Sequence, residues 1–473
     1  MKREKAKRLN RALQEIDDAY LEEAAPRASG KPRRSVWLAA AAAVLCLALI
    51  LPAALSRHGA GGLLIAAPDY PSMAPYPKED SLFFDSQYTA WSRDLRTQTH
   101  QPAGYADGLE AFFSQSIPVL LTGEAGENRV CSPLTVYMAL AVSAELANGE
   151  SRQQLLSLLG VESIEALRAQ AKAVWNSNYR DDGAVKRVLA SALWLSDDVD
   201  YVPETLQRLA DTYYASSYRG EMGSAAMNDA LHRWLNEQTD GLLEEQAADL
   251  ELDPRTLLAL TTTVAFRCKW VETFPVGATK QGVFHSPDGD RDVDYMRRTM
   301  SDVYYWGAHF SAVSHRLEDG EMWFLLPGEG ASPEDLLRDD EVMAFLLGRS
   351  AEWENQKYLT VNKILPKFDA ASDIDLIEGL KLLGVTDVFD SNWADFSPTA
   401  ASNEGAFFSQ IKHAARVSVD EEGCAAVAFT ALIAPEAGMP PDEEVDFILD
   451  RPFLFLITGQ DGLPLFTGIV NRP

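Results

Sequence analysis

Seven histidines, four cysteines and 70 acidic side chains give this chain the residue types from which most catalytic and metal sites are built. Their spacing assembles none of the usual sites. The histidines stand at positions 58, 100, 232, 285, 309, 315 and 413, and no two of them form an H-E-x-x-H or other zinc-type pair. The cysteines, at 46, 131, 268 and 424, make no Cys-x-x-Cys. There is no phosphate-binding loop and no Gly-x-Ser-x-Gly nucleophile elbow. "GEGASPED" at Gly328 lacks the lysine and the spacing of a phosphate loop and reads as a turn, and the neighbouring carboxylates Glu421/Glu422 and Glu443/Glu444 read as solvated acidic edges. No catalytic residue, metal ligand or cofactor is assigned, and the chain is read as not an enzyme.

A different kind of chemistry is offered by "VDEEGCAAVAFTAL", residues 419 to 432. Three acids and a glycine give way abruptly to small and β-branched residues, and "IAPEAGMPPDEE" follows at once with the look of an exposed loop. From these residues alone the segment reads as an ordinary strand running into a loop.

The elements around it belong to a large export-type chain. Lys and Arg total 42 against 70 Asp and Glu, a net charge of −28, so a nucleic-acid backbone would repel most of the surface. The N-terminal segment, residues 1–34, is basic and abuts "SVWLAAAAAVLCLALILPAAL", Ser35 to Leu55, which carries no charge. At 1.5 Å per residue this run is long enough to cross about 30 Å of hydrocarbon. Lys31, Arg33 and Arg34 on its N-terminal side predict a cytoplasmic tail and a domain outside the membrane. A cleaved signal peptide, which would make the protein secreted, is the rival reading. Residues 56–104 carry several prolines and little periodicity and read as a linker lifting the domain off the membrane, with "SLFF" and "YTAW" as pieces that could add a local contact to the domain. Beyond them, "YADGLEAFFSQSIPVLL" and "LTVYMALAVSAELANGESRQQLLSLLG" have helical spacing. "RVLASALWL", "TLLALTTTVAF", "YLTVNKILPKF" and "FLFLITG" read as strands. The interleaving predicts one α+β domain over 105–473, with a core that disulfides do not frame.

Six motifs in order resemble those of the serpin family: "NRVCSPLTVYMAL", "GESRQQLLSLLG", "MNDALHRWLNEQTDGLL", "LTTTVAFRCKWVETFPVGATKQGVFH", "ILPKFDAASDIDLIEGLKLLGVTDVFDSNWADFS" and "DRPFLFLITGQDGLPLFTGIVNRP". The resemblance spans about Tyr105 to Pro473 and identifies the segment quoted above with the family's hinge, E-E-G-T-x-A-A-A-x-T. It implies the serpin fold: a large central mixed sheet with surrounding helices, second and third sheets, and an exposed reactive-centre loop. It also implies a monomeric inhibitor that a serine or cysteine protease attacks as substrate, forming an acyl-enzyme. The hinge then inserts into the central sheet and the protease stays covalently trapped.

Such a hinge must be tolerated both in water and inside a sheet. Side chains alternate along a strand, and the face counted from Cys424 carries Cys424, Ala426, Ala428 and Thr430, all small. The opposite face carries Ala425, Val427, Phe429 and Ala431, and no charge or proline occurs from Gly423 to Ala434. Either would oppose insertion, one by burying an unpaired charge and the other by breaking a ladder. With Glu421, Glu422 and the pivot Gly423 these residues make up the hinge.

The resemblance further aligns Ser132, Thr135, Thr262, Trp270 and His413 with the residues under and at the end of the sheet gap, with Thr262 where the family has Asn and Cys424 where it has Thr. Cys268 and Cys424 fall near the same end of that gap; a disulfide there would lock insertion, and buried free thiols are the default reading. The family's seventeen positions, from the first hinge Glu to the residue before the cut, run from Glu421 to Ala437 here, so the resemblance implies a bait bond at Ala437–Gly438. A small bait residue suits elastase-like or subtilisin-like proteases. Met439, followed by Pro440, and Glu436 are the alternative bait residues. The reading from another class is a non-inhibitory serpin-fold binding module, cleaved as a plain substrate.

Overall fold

The computed structural model describes residues 63–78, 81–124, 126–248, 250–349, 353–400, 405–424 and 441–473. The expected membrane run at 35–55, the bait residues 436–439 and the hinge residues 425–430 lie outside the described residues. Among the described residues no helix is long and apolar enough to cross a membrane.

The longest strands come from runs rich in β-branched and aromatic residues. β4 (Lys186–Ser196) is almost wholly buried, and its alternation divides two cores. Leu189, Leu193 and Leu195 join the main core, whereas Ala190, Ala192 and Trp194 join a smaller one under the helix Ala225–Thr239. A strand buried on both faces must have apolar residues at both parities, and this one does.

Numbered in chain order, the first sheet contains β1 (Leu64–Ala66), β3 (Arg180–Asp181), β4, β5 (Ala215–Gly220), β6 (Leu258–Lys269), β12 (Phe368–Asp375), β13 (Phe408–Val419) and β14 (Gly423–Cys424). Its lateral order is β1-β5-β4-β6-β14-β13-β12, with β3 alongside β4. The second contains β2 (Arg129–Cys131), β7 (Lys280–Ser286), β8 (Gly289–Trp306), β9 (Phe310–Leu317), β10 (Gly320–Pro327), β11 (Gln356–Pro366), β15 (Glu444–Ile448), β16 (Phe453–Thr458) and β17 (Pro464–Val470). The second and third sheets that the resemblance implies are joined here into one nine-stranded sheet. Only the pairs Tyr305/Ala312 and Trp306/Ser311 connect β8 to β9.

Behind the first sheet lies α3 (Pro133–Leu146), after α1 (Phe84–Thr99) and α2 (Leu109–Leu120) in the chain. Every residue of α3 is buried. Ser132 caps it, its hydroxyl accepting from Thr135 N–H, and Pro133 opens the first turn, where its missing N–H costs nothing.

The linker reading of residues 56–104 is corrected for the described part of that stretch. β1 pairs antiparallel with β5, and Arg219 N–H donates to the Leu63 carbonyl. The Tyr70 ring stacks on Trp175 at 5.4 Å, with Tyr179 and Tyr214 close by. Tyr76 N–H donates to the Asp182 carbonyl, and its ring meets Trp91 of α1 edge-on at 4.9 Å. Tyr105 then donates to Asp461 at 2.7 Å. Widely spaced aromatics, each seated in its own groove, hold an irregular segment to the domain without any sequence period. The compact unit accordingly begins at Gly61 rather than near residue 105.

Candidate functional site

The central feature of the first sheet is an incomplete seam between β6 and β13. The two strands pair in parallel from Phe408/Leu258 to Ala414/Thr263, and the pairing stops there. Further along, β14 stands between them: Cys424 is opposite Val419 on one side and Cys268 on the other, and Gly423 is opposite Lys269. Between the two ends, residues 264–267 and 415–418 are not paired with each other, and no described strand lies between them.

At the hinge end, sequence and geometry fix Gly423 together. A Cβ there would lie 2.3 Å from the Cys268 carbonyl oxygen, so only glycine lets the chain press this close to β6. Asp420 shapes the turn into it, its carboxylate accepting from Glu422 N–H and Gly423 N–H. Trp270 is buried; its N–H donates to the Glu422 carbonyl and its indole N–H to the Asp420 carbonyl. Glu421 is buried too and accepts from Lys367 at 3.0 Å and from the Thr279 hydroxyl at 2.8 Å. Burial would push the Glu421 carboxyl up, but these two partners outweigh it and hold it below the usual range. Cys424 is buried, its sulfur 3.9 Å from Met322 Sδ.

At the closed end, His413 of β13 is opposite Thr262 of β6 and has no solvent exposure. Ser132 N–H donates to His413 Nε2 at 2.9 Å. That nitrogen is therefore an acceptor, and the ring proton of the neutral imidazole sits on Nδ1, which is buried without a partner among the described residues. Burial drives the His413 pKa down to about 4. The Ser132 and Thr135 hydroxyls bond each other at 2.7 Å, and the Thr262 hydroxyl donates to the Ala190 carbonyl at 3.2 Å. Thr262 thus bonds backbone and leaves His413 alone.

The structure brings the anticipated residues together in two groups: Glu421, Glu422, Gly423, Cys424 and Trp270 at the hinge end, and Ser132, Thr135, Thr262 and His413 at the closed end. Cys268 and Cys424 are cross-strand neighbours and both are free thiols. Sequence reasoning missed Lys367, Thr279 and Asp420. Lys367 lies in the quoted "ILPKF" motif, but nothing in its spacing announces an ion pair with a residue so distant in the chain.

The chain matches the family model described as Serpin (serine protease inhibitor) over residues 111–473. It is 30% identical to the leukocyte elastase inhibitor of Sus scrofa over 358 residues, covering 73% of this chain and 93% of that protein. It is 26% identical to Serpin-ZX of Arabidopsis thaliana over 75% of this chain and 94% of the relative. Among solved structures, the thermophilic serpin Tengpin in its native state superposes with a TM-score of 0.69 at 25% identity, over 78% of this chain and 95% of that one. Arabidopsis AtSerpin1 in its native stressed conformation does so with a TM-score of 0.69 at 25% identity, over 79% and 99%. With matched sequence, matched fold and a short β14 seated where the pairing of β6 and β13 stops, this chain belongs to the serpin family.

Proposed function

We propose that this protein inhibits serine proteases, or cysteine proteases, outside the cell by trapping them as acyl-enzymes. The protease nucleophile attacks the Ala437 carbonyl carbon, the bond to Gly438 breaks, and the Gly438 amine leaves with a proton. The new bond, an ester to a serine protease or a thioester to a cysteine protease, ties the enzyme to the segment that follows the hinge. That segment enters the seam as an added strand and carries the enzyme with it before water can complete hydrolysis.

The observation that supports this most is β14. Its two residues already pair with β6, and Cys424 with β13 as well, and no other described strand lies beyond them between those two. Insertion therefore begins from a formed first rung. The leukocyte elastase inhibitor among the relatives accords with a small bait residue at Ala437. The run at 35–55 would hold the protein on the outer face of the membrane as a monomer, or leave it secreted if that run is cleaved.

The test mixes the detergent-solubilised full chain with an elastase and a subtilisin and resolves the products on a denaturing gel with mass spectrometry. A band at the summed mass, with a released fragment beginning at Gly438, is the expected result. Clean cleavage with undiminished protease activity would replace this reading with the non-inhibitory binding module.

A further inference from the structure

Three consecutive carbonyls at the base of the hinge are gripped by one short turn, residues 270–274, which follows β6. Trp270 N–H donates to the Glu422 carbonyl at 3.0 Å, Phe274 N–H to the Glu421 carbonyl at 3.0 Å, and the Trp270 indole N–H to the Asp420 carbonyl at 2.9 Å. Whatever fixes this turn therefore positions the hinge.

β8 and β9 fix it. Val271 N–H donates to the Arg316 carbonyl, Arg298 donates to the Thr273 carbonyl at 2.6 Å, and His315 Nε2 lies 2.8 Å from the Glu272 carbonyl. The His315 ring also meets both aromatics of the turn, its centroid 4.9 Å from Trp270 and 4.8 Å from Phe274.

The tautomer of His315 is set by its two partners. Its Nδ1 lies 3.2 Å from Lys363 Nζ, which the Asp302 carboxylate and the Ser314 carbonyl, both acceptors, hold as an ammonium. An ammonium can only donate and a carbonyl can only accept, so the ring is neutral with its proton on Nε2. His315 and Lys363 are both buried. A second proton would sit on Nδ1 and face the ammonium, donor against donor and charge against charge. The charged groups around the pair are Lys363 from β11, Asp302 and Arg298 from β8, Glu321 from β10 and Glu272 from the turn itself. Burial opposes the second proton most, then Lys363; the bond to the Glu272 carbonyl favours it and Arg298 opposes it.

We propose that His315 is a positioning residue for the hinge: neutral, it pins the 270–274 turn and so seats residues 420–424 beside β6, and protonated, it lets turn and hinge go. What this would regulate rests on reading residues 420–424 as the base of an inserting loop; the seating itself does not.

Hydrogen exchange of the detergent-solubilised full chain, corrected for intrinsic rates and read by mass spectrometry, reports the grip through the Trp270 and Phe274 amides. Residues 258–263 of β6, paired with both β4 and β13, are the reference for the sheet. The pKa of His315 is depressed while the turn is closed, so the grip is complete above the ordinary histidine value and weakens as pH falls. Opening should rise by about tenfold for each pH unit below about 6.5, with the reference amides still protected. His315→Gln keeps a donor for Glu272 and an acceptor for Lys363 but takes no proton; it should stay seated at neutral pH and lose the pH dependence. His315→Leu keeps neither bond and should be open already at neutral pH; if it fails to fold, the wild-type and His315→Gln curves decide. A wild-type grip indifferent to pH, a His315→Gln chain that responds like the wild type, or loss of the reference amides together with the hinge overturns the assignment. The same chains are mixed with elastase at neutral pH. A pH-responsive grip without a covalent complex supports the positioning role and removes the trapping reading. A covalent complex with an unresponsive grip does the reverse.

Discussion

The two ends of the seam are held by opposite kinds of physics. At the hinge end a partly wet clamp of charge and polar bonds, Glu421 with Lys367 and Thr279, fastens the chain where it turns into β14. At the closed end a dry imidazole accepts one backbone hydrogen bond and leaves its other nitrogen unsatisfied. The difference teaches where the sheet resists opening: the hinge end is fastened but adaptable, and the closed end is sealed by burial and carries the cost of an orphan donor.

The sharpest break of this comparison is Trp270→Ala. Trp270 is buried at the hinge end and roofs it through its bonds to Asp420 and Glu422. Truncating it should remove about 3–5 kcal/mol, seen as a lower urea midpoint at unchanged slope.

Acid comes next, and it separates the two ends. His413 has a folded pKa of about 4 against an ordinary 6.5, so the unfolded chain binds the extra proton first. Stability is complete above pH 6.5 and falls as pH drops towards 4, by about 3 kcal/mol from this group. His315 is also buried and its pKa is likewise depressed, first by burial and then by Lys363, so it adds to the loss with the same sign. Urea titrations at a series of pH values should show this slope, and His413→Gln should make it shallower. Glu421 answers later: its carboxyl is held low, so its contribution persists above the carboxylate range and is lost only as pH falls through it.

Glu421→Gln should cost about 1 kcal/mol at neutral pH, since Lys367 remains partly exposed and screened. A double-mutant cycle with Lys367→Ala measures that coupling, and the coupling should shrink at high salt. The smallest effect is a gain. Thr262→Asn puts an amide on the β6 residue paired with His413, whose Nδ1 lacks a partner, and should stabilise the native sheet by about 1 kcal/mol if the amide oxygen reaches that nitrogen, read as a raised urea midpoint. A fall instead would show that the hydroxyl bond to Ala190 matters more than the missing partner.

Much of this was legible in the sequence because it rests on local rules. α3 is visible as an apolar helix behind a Ser-Pro start, and β4 and β6 as long apolar and β-branched runs. What stayed hidden depends on distant partners. The Glu421–Lys367 pair joins the hinge to the loop between β11 and β12, and no periodicity encodes such a contact. Residues 63–104 misled for a related reason. Tyr70 and Tyr76 lie in an extended segment without a repeat, and α1 buries only Trp91, too little to mark an amphipathic face.

The three residues of β1 bear on self-association as well. An uncovered sheet edge offers unpaired N–H and C=O groups to any passing strand, including one from another copy of the same chain. β1 covers the margin of β5 with the protein's own backbone, and the aromatic anchors at Tyr70 and Tyr76 keep that cover in place. The segment that leads into the domain is thereby also a guard against edge-to-edge pairing. Removing residues 63–78 would expose β5 as an adhesive rim open to edge-to-edge pairing.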